Sequence, residues 1–102
     1  MSPRKRRLAL KPQARTDVKD ALLHTREPWG VEQRNRYSAL LDQALLELVV
    51  FPEIGRSRDE LYFGCRSRPV GQHIVYDHLT ETAIVVTRVL HSRQDPSGKL
   101  EP

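Results

Sequence analysis

The segment from Val31 to Phe51, VEQRNRYSALLDQALLELVVF, carries the pattern that most restricts how this chain can fold. Its apolar residues return every three or four positions, which is the spacing of one face of an α-helix. That face comprises Tyr37, Leu40, Leu41, Ala44, Leu45, Leu48 and Val49. We expect Leu41, Leu45 and Leu48 to face a core. Pro52 ends the helix, because its ring cannot continue the helical hydrogen bonds.

A second helix is predicted from the earlier segment PQARTDVKDALLHTRE, which starts at Pro12. Its apolar stripe comprises Ala14, Val18, Ala21, Leu22 and Thr25. The segment EPWG, with Pro28 and Gly30, separates the two helices, so they are expected to form an antiparallel hairpin. Trp29 lies in this break. It either packs between the helices or serves as an aromatic anchor for a partner.

The rest of the chain has the composition of β-strands. One short strand, RRLALKP, precedes the first helix, and three β-rich runs follow Pro52: LYFGCRS, GQHIVYDHL and TAIVVTRVLH. The turn-like segments SRPVG and DHLTETA separate these runs, and such short connections imply an antiparallel meander. The N-terminal strand joins this sheet at an edge or beside its centre. The predicted fold is therefore α+β, in the order β-α-α-β-β-β, with a helical hairpin packed on one face of a small, mainly antiparallel sheet.

Length and charge limit the class of protein. With 102 residues the chain forms one domain, over residues 1–102, whose basic N-terminus (1–6) and tail (97–102) are candidates for disorder. Its net charge of +4 favours an acidic partner: nucleic acid, an acidic protein or an anionic surface. Cys65 is the only cysteine, which excludes an internal disulfide and suits a reducing cytoplasm. No signal peptide, membrane span or zinc-type spacing is present, so we expect a cytoplasmic protein without membrane contact, metal or cofactor.

Several short motifs, in this order and spacing, resemble those of a known family. They are WG between two helices, a second helix ending in FPEIGR, the strand HIVY and the final TRVLHSRQD. Together with the element order they are similar to the RelE/ParE superfamily of toxins from bacterial type II toxin–antitoxin modules, and more closely to its ParE branch, from Leu8 to Asp95. The resemblance implies one of two activities. RelE-like toxins cut messenger RNA on the ribosome, whereas ParE-like toxins inhibit DNA gyrase and have no recognised catalytic centre.

RNA cleavage needs a base, an acid and cations that hold the charged phosphorane. The sequence offers His73 and His91 as base and acid. It offers Tyr76 as a further donor and, as cations, Arg66, Arg68 and Arg88. If the last strand is regular, however, Ile84, Val86, Arg88 and Leu90 share one face. Arg88 and His91 then point to opposite sides, unless a bulge at the end of the strand reverses this. Arg88 has an alternative structural role in an ion pair with a carboxylate such as Asp77 or Glu60, and His91 one as a capping residue.

The RelE-like pattern also has a tyrosine near the C-terminus, directly after a histidine. Here Ser92 follows His91, and no tyrosine lies beyond Tyr76. We therefore favour a ParE-like gyrase inhibitor without enzymatic activity. The alternative is a RelE-like, ribosome-dependent endoribonuclease with an incomplete or rearranged site, whose catalytic residues would be His73, Arg88 and His91.

The resemblance further implies a ParD-like antitoxin that folds along the toxin, with DNA gyrase as the target and operator DNA bound only through the antitoxin. The candidate residues for binding antitoxin or target are Trp29, Arg56, Arg58, Arg66, Arg68, Arg88, His91 and Arg93. Solvated surface charge is the alternative for several of these arginines. A general nucleic-acid-binding module is a further alternative, weakened by the lack of a recognition helix rich in Arg, Asn or Gln.

Overall fold

The computed structural model describes residues 6–23 and 30–102. The elements along the chain are β1 (Arg7–Leu10), α1 (Pro12–Leu23), α2 (Gly30–Val50), β2 (Arg56–Ser57), β3 (Arg66–Val70), β4 (His73–Leu79) and β5 (Ala83–His91). Pro12 opens α1, where its missing N–H has no cost because the first N–H groups of a helix lack intrahelical partners. Within residues 6–23 and 30–102, no helix is both long and apolar enough to cross a membrane.

The five strands form one sheet in the order β1-β5-β4-β3-β2. β1 lies at an edge and pairs in parallel with β5, with Arg7 opposite Ala83, whereas the other neighbouring strands are antiparallel. The predicted α+β class and the helical hairpin on a mainly antiparallel sheet are confirmed. The two-residue strand β2, which the sequence did not predict, adds a fifth strand at the other edge.

The position predicted for the strand LYFGCRS is wrong. Residues 61–64 form turns, and β3 begins at Arg66 and continues through Pro69, in a segment that the sequence suggested was a turn. Gly64 interrupts the extended backbone with a φ of 88°, a conformation that favours glycine. Pro69 is tolerated because β2 covers only the first two residues of β3. Pro69 therefore lies on an uncovered edge, where its missing N–H leaves no ladder bond unmade.

The main core lies between the two helices and the sheet. Leu41 and Leu48 are buried there, and Leu45 is half-buried on the same face of α2, as predicted. The buried side chains are Ala14, Leu41, Ala44, Leu48, Val70, Val75, Ile84, Val86 and Val89. The predicted stripe of α1 packs against them, with Ala14 and Ala21 buried and Val18 and Leu22 half-buried. Thr25 lies outside the described residues.

A second apolar cluster covers the opposite face of the sheet. It consists of Cys65, Tyr76 and Leu90, and Leu100 from the C-terminal tail packs against it. Lys11 Nζ donates to the carbonyl oxygen of Glu101 at 2.9 Å. The tail at residues 97–102, a candidate for disorder by composition, is thus held against the sheet.

A β-bulge in β5 changes which residues face the helices. Tyr76 pairs with Arg88 and Asp77 pairs with Val86, so Thr87 has no opposite residue, and its Oγ1 donates to the Tyr76 carbonyl oxygen at 3.1 Å. Val86 before the bulge and Val89 after it therefore both reach the helix-side core. The arrangement expected for a regular strand, with Val86 on the same face as Arg88 and Leu90, does not hold because of this bulge, and Leu90 lies in the cluster on the opposite face.

Asp77 is a buried carboxyl in the central strand β4. It lies on the same face of β4 as Val75 and Leu79, which pack in the helix-side core, and its side chain is fully buried. Neither carboxylate oxygen has a hydrogen-bond partner among the described residues. Burial raises the pKa of Asp77 from 3.8 to about 7, against the opposing charge of Arg66 across the strand pair.

Candidate functional site

A polar groove of about 770 Å³ opens where α1, the start of α2, the turn between β3 and β4, and the end of β5 meet. Its lining residues are Gln13, Thr16, Asp17, Asp20, Ala21, Gln33, Tyr37, Gly71, Gln72, His73, Arg88, Val89, His91 and Gln94. The groove therefore combines two histidines, a phenol and four glutamine amides. Amide side chains both donate and accept hydrogen bonds, so they can pair with peptide groups.

Tyr37 organises one wall of the groove from α2. Its hydroxyl lies 2.5 Å from His73 Nδ1 and 3.2 Å from the Val70 carbonyl oxygen, and it accepts a hydrogen bond from the Gln72 backbone N–H at 3.0 Å. Burial raises the pKa of Tyr37, although the backbone hydrogen bonds of Gln72 and His73 oppose the shift. The phenol is therefore neutral at physiological pH and holds the β3–β4 turn against α2.

Gly71 allows this turn to pack on the tyrosine ring. It has a φ of 59°, and a Cβ atom at this position would lie 2.7 Å from Tyr37 Cε1. Any other residue would displace the ring and would be strained in this backbone conformation. The sequence placed Tyr37 only in an apolar stripe. The hydroxyl group could have indicated its role at the site, because a tyrosine on the buried face of a helix needs a polar partner for its O–H.

His73 and His91 are neighbours across the β4–β5 pair. Their ring centroids lie 5.4 Å apart, at an interplanar angle of 77°. His91 Nδ1 accepts a hydrogen bond from the Arg93 backbone N–H at 3.1 Å, so the neutral ring carries its proton on Nε2. The structure thus brings together two of the three residues predicted for an endoribonuclease site.

The third residue, Arg88, is occupied in an ion pair. Its Nε and Nη2 atoms donate to Asp17 Oδ2 and Oδ1 at 2.6 and 2.9 Å, and Nη1 donates to the Lys99 carbonyl oxygen at 3.3 Å. Asp17 also accepts the Val89 N–H at 3.0 Å, and its carboxylate raises the pKa of Arg88. The predicted structural role of Arg88 is thus observed, but the predicted partners are wrong. Asp17 takes the place of Asp77 and Glu60 because α1 lies beside β5.

Arg88 and His91 both line the groove although they leave β5 on opposite faces. Arg88 is paired with Tyr76 and His91 with His73, and the strand between them is regular. The guanidinium reaches the groove through its ion pair with Asp17 on α1, which also accepts the Val89 N–H beyond the end of the β1–β5 pairing at Val86. Asp17 was not singled out from the sequence, where it was only an acidic residue near a helix start.

Three of the arginines predicted to bind a partner lie at the β2–β3 edge of the sheet, and they are also paired within the chain. Arg58 Nε donates to Glu60 Oε2 at 2.7 Å, and Arg66 Nη1 donates to the Gly55 carbonyl oxygen at 2.9 Å. Arg68 pairs with Glu47 and also donates to the Ala44 carbonyl oxygen at 3.3 Å. Arg66 and Arg68 therefore brace the β2–β3 edge against α2 and its following loop, whereas Arg58 is paired within the segment between β2 and β3.

The predicted basic edge is thus divided into two surfaces. Arg56, Arg58, Arg66 and Arg68 lie on β2, β3 and the segment that joins them, whereas Arg88, His91 and Arg93 lie on or after β5, with β4 between the two sets. The side chains of Arg56 and Arg93 are exposed and make no hydrogen bond or ion pair with described residues. Trp29 lies outside the described residues. Within the described ranges, no three of the His, Cys, Asp and Glu side chains are grouped to hold a metal ion.

Comparisons with a family model and with related sequences indicate the same family, and comparison with a solved structure indicates the same fold. Residues 8–96 match the family model described as "ParE toxin of type II toxin-antitoxin system, parDE". Toxin ParE1 of Mycobacterium tuberculosis (strain CDC 1551 / Oshkosh) is 36% identical over 95 residues, which cover 92% of this chain and 97% of that protein. Toxin ParE of Escherichia coli is 31% identical over 93 residues, which cover 89% of each chain. The fold is similar to a chain of the chromosomal ParDE TA system from P. aeruginosa, with a TM-score of 0.73, 15% identity and coverage of 85% of this chain and 96% of that one.

Proposed function

Because this chain belongs to the ParE toxin family of type II toxin–antitoxin systems, we propose that it inhibits DNA gyrase and that a ParD-like antitoxin neutralises it. It acts by binding its target and not as an enzyme. Operator DNA is contacted through the antitoxin. The observation that carries the non-enzymatic part of this proposal is the ion pair between Arg88 and Asp17.

The ion pair matters because phosphodiester cleavage places extra negative charge on the phosphate. A cation must lie next to that phosphate, since donors arranged in advance supply much of the stabilisation of the transition state. Among the described residues that line the groove, Arg88 is the one arginine or lysine, and Asp17 neutralises it with two hydrogen bonds. The described residues that line the groove therefore offer proton-transfer groups without an unpaired arginine or lysine among them.

One observation favours endoribonuclease activity as a second candidate. Tyr37 places a phenol beside His73, although the sequence lacks a tyrosine after His91. A phenol, two imidazoles and a groove are the parts of a general acid–base site. This candidate requires Asp17 to release Arg88 when RNA binds.

A direct comparison separates the two candidates. We expect the purified protein to inhibit DNA supercoiling by DNA gyrase, and we expect ribosome-bound messages to remain uncut when it is expressed in cells. Tyr37→Phe, which removes the hydroxyl next to His73, should leave growth arrest in place if its fold is intact by circular dichroism. Codon-phased cleavage of messages that disappears in Tyr37→Phe would instead establish the endoribonuclease, and a lack of gyrase inhibition by the wild-type protein would reject the proposed target.

For the antitoxin, the polar groove and its rim are the proposed binding surface. Four glutamines line the groove and can pair with the backbone of an extended segment, while Arg93, next to His91 and Gln94, provides an unpaired cation at the rim. The arginines that brace the β2–β3 edge contribute less, because an antitoxin carboxylate would have to replace a carboxylate or carbonyl already bound to them. Trp29 stays a prediction as an aromatic anchor.

Replacing Arg93 by alanine should weaken antitoxin binding by about 2 kcal/mol, as the loss of a desolvated charge pair does, mainly through faster dissociation. Arg56→Ala is the matched control. Arg56 is also exposed, but it lies near the carboxylate of Glu60, so its loss should change the affinity by less than about 1 kcal/mol. Calorimetry with an acidic antitoxin peptide supplies both values. Equal effects of the two variants would remove Arg93 from the interface.

A further inference from the structure

The loop between β2 and β3, residues 58–65, is closed at its base by backbone hydrogen bonds. The Arg58 N–H donates to the Cys65 carbonyl oxygen at 2.7 Å, and the Leu61 N–H donates to the Arg58 carbonyl oxygen at 2.9 Å. Cys65 donates its own N–H to the Tyr62 carbonyl oxygen at 3.0 Å, and Asp59 Oδ1 accepts the Gly64 N–H at 2.9 Å. The loop therefore has a defined shape before any partner binds.

Side chains on both sides of the loop tip anchor it to the sheet. Leu61 and Tyr62 pack against the second apolar cluster, and the Tyr62 hydroxyl lies 2.8 Å from His78 Nδ1. At the base, Arg58 lies 6.0 Å from the centroid of the Tyr76 ring and donates to Ser67 Oγ at 3.3 Å. These contacts fix the direction in which the tip points.

Phe63 occupies this tip and is 92% exposed, the largest exposure among the large apolar side chains of the described residues. Its neighbour Gly64 turns the chain with a φ of 88°, and no atom lies within 4 Å of the position where a Cβ would stand. The aromatic ring therefore adds nothing to the core. A single exposed apolar residue is common on protein surfaces, but here an anchored loop presents a whole aromatic ring to solvent.

We propose that Phe63 is the aromatic anchor by which this protein binds a folded target protein, inserting into an apolar pocket on the target surface. Rigid aromatic side chains are enriched among the residues that dominate interfaces, because little conformational freedom is lost when they bind. The inference rests on the proposed function, since it assigns a surface for the target. It requires no particular identity for that target.

Shape and charge favour a folded target over the antitoxin as the occupant. A protruding ring needs a concave partner, whereas a segment that folds on binding lays its own side chains into grooves. Next to the tip, Glu60 is paired with Arg58 and Asp59 accepts the Gly64 N–H, so the loop presents an aromatic ring without an unpaired cation of its own for an acidic segment. The loop also precedes β3, whereas Gly71 of the polar groove follows it, so the two surfaces lie at opposite ends of that strand.

Phe63→Ala tests the proposal, with Leu46→Ala as the matched control. Leu46 is also apolar and is 61% exposed, on α2. Neither substitution should change the unfolding temperature, because neither side chain packs in the core. Phe63→Ala should raise the concentration needed for half-inhibition of gyrase about 30-fold or more, the effect of losing a dominant interface residue, and should relieve growth arrest. Antitoxin affinity should stay within about twofold, and Leu46→Ala should resemble the wild type.

Three results would overturn the inference. The first is that Phe63→Ala arrests growth as strongly as the wild type. The second is that Phe63→Ala loses affinity for the antitoxin and still inhibits the target. The third is that Phe63→Ala loses self-association in sedimentation equilibrium and still inhibits the target. If the wild-type protein arrests growth without inhibiting gyrase, the gyrase proposal fails. Relief of growth arrest by Phe63→Ala then still supports the anchor, so the two proposals fail separately.

Discussion

Asp77→Asn should raise the free energy of unfolding at pH 8 by on the order of 4 kcal/mol, because the asparagine keeps the shape of the side chain and removes a buried charge. The pKa of Asp77 rises on folding from 3.8 to about 7. The folded protein therefore binds a proton between these values that the unfolded chain does not. This contribution to stability is fully present below about pH 4 and is lost as the pH rises through about 7.

Urea unfolding between pH 4 and pH 8 measures this effect. The wild-type protein should lose stability across the interval, and Asp77→Asn should show a much flatter profile. Asp42→Asn, an exposed carboxylate on α2, is the control and should change stability by less than about 0.5 kcal/mol. A wild-type profile that is flat between pH 4 and pH 7 would mean that Asp77 is stabilised by a charge or a hydrogen bond in solution.

Asp17→Ala should lower the free energy of unfolding by about 3–5 kcal/mol, because it leaves the Val89 N–H without its acceptor and the Arg88 guanidinium without its carboxylate. The Arg88 and Asp17 side chains are only 17% and 10% exposed, so solvent replaces the lost contacts poorly. Chemical unfolding at neutral pH measures the change. The double variant Asp17→Ala/Arg88→Met should cost less than the two single changes together, since neither charge is then left unpaired.

Glu32→Ala provides the matched control for the Asp17 experiment. Glu32 also pairs with an arginine, Arg36, at 2.6 Å, but both side chains are 70% exposed and lie one turn apart on α2. Such pairs contribute little, so the change in stability should stay below about 1 kcal/mol. Similar losses for Asp17→Ala and Glu32→Ala would show that Asp17 does not connect α1 to β5 in solution.

The helices were predictable because their apolar spacing is local. The apolar stripe that contains Leu41 and Leu48 predicts an amphipathic helix packed on a core, and Pro52 marks the end of that helix. The antiparallel order of the last strands was predictable for the same reason, since short connections leave few topologies. The start of β3 was not predictable from composition, because residues 61–63 have strand-forming side chains but serve to anchor and present a loop.

The site was less predictable because it depends on contacts between distant parts of the chain. His73 and His91 were identified as candidates from their residue type and their strand positions. The pairing of Arg88 with Asp17 spans 71 positions, and nothing in the sequence distinguishes Asp17 from Asp77 as the partner. The role of Tyr37 likewise depends on a turn 35 positions later, whose Gln72 N–H it accepts.

The parallel pairing of β1 with β5 also constrains how the protein is made. Arg6 lies 74 positions before Thr80, with which it shares a hydrogen bond at the start of that pairing. At about 5–20 residues per second, a ribosome needs roughly 4–15 s to synthesise the intervening chain. During that time Leu8 and Leu10 have no strand to join, because β5 does not yet exist. The nascent chain therefore cannot complete its sheet until β5 has been synthesised, and a truncated product ending before β5 lacks Arg88, Val89 and His91 of the polar groove.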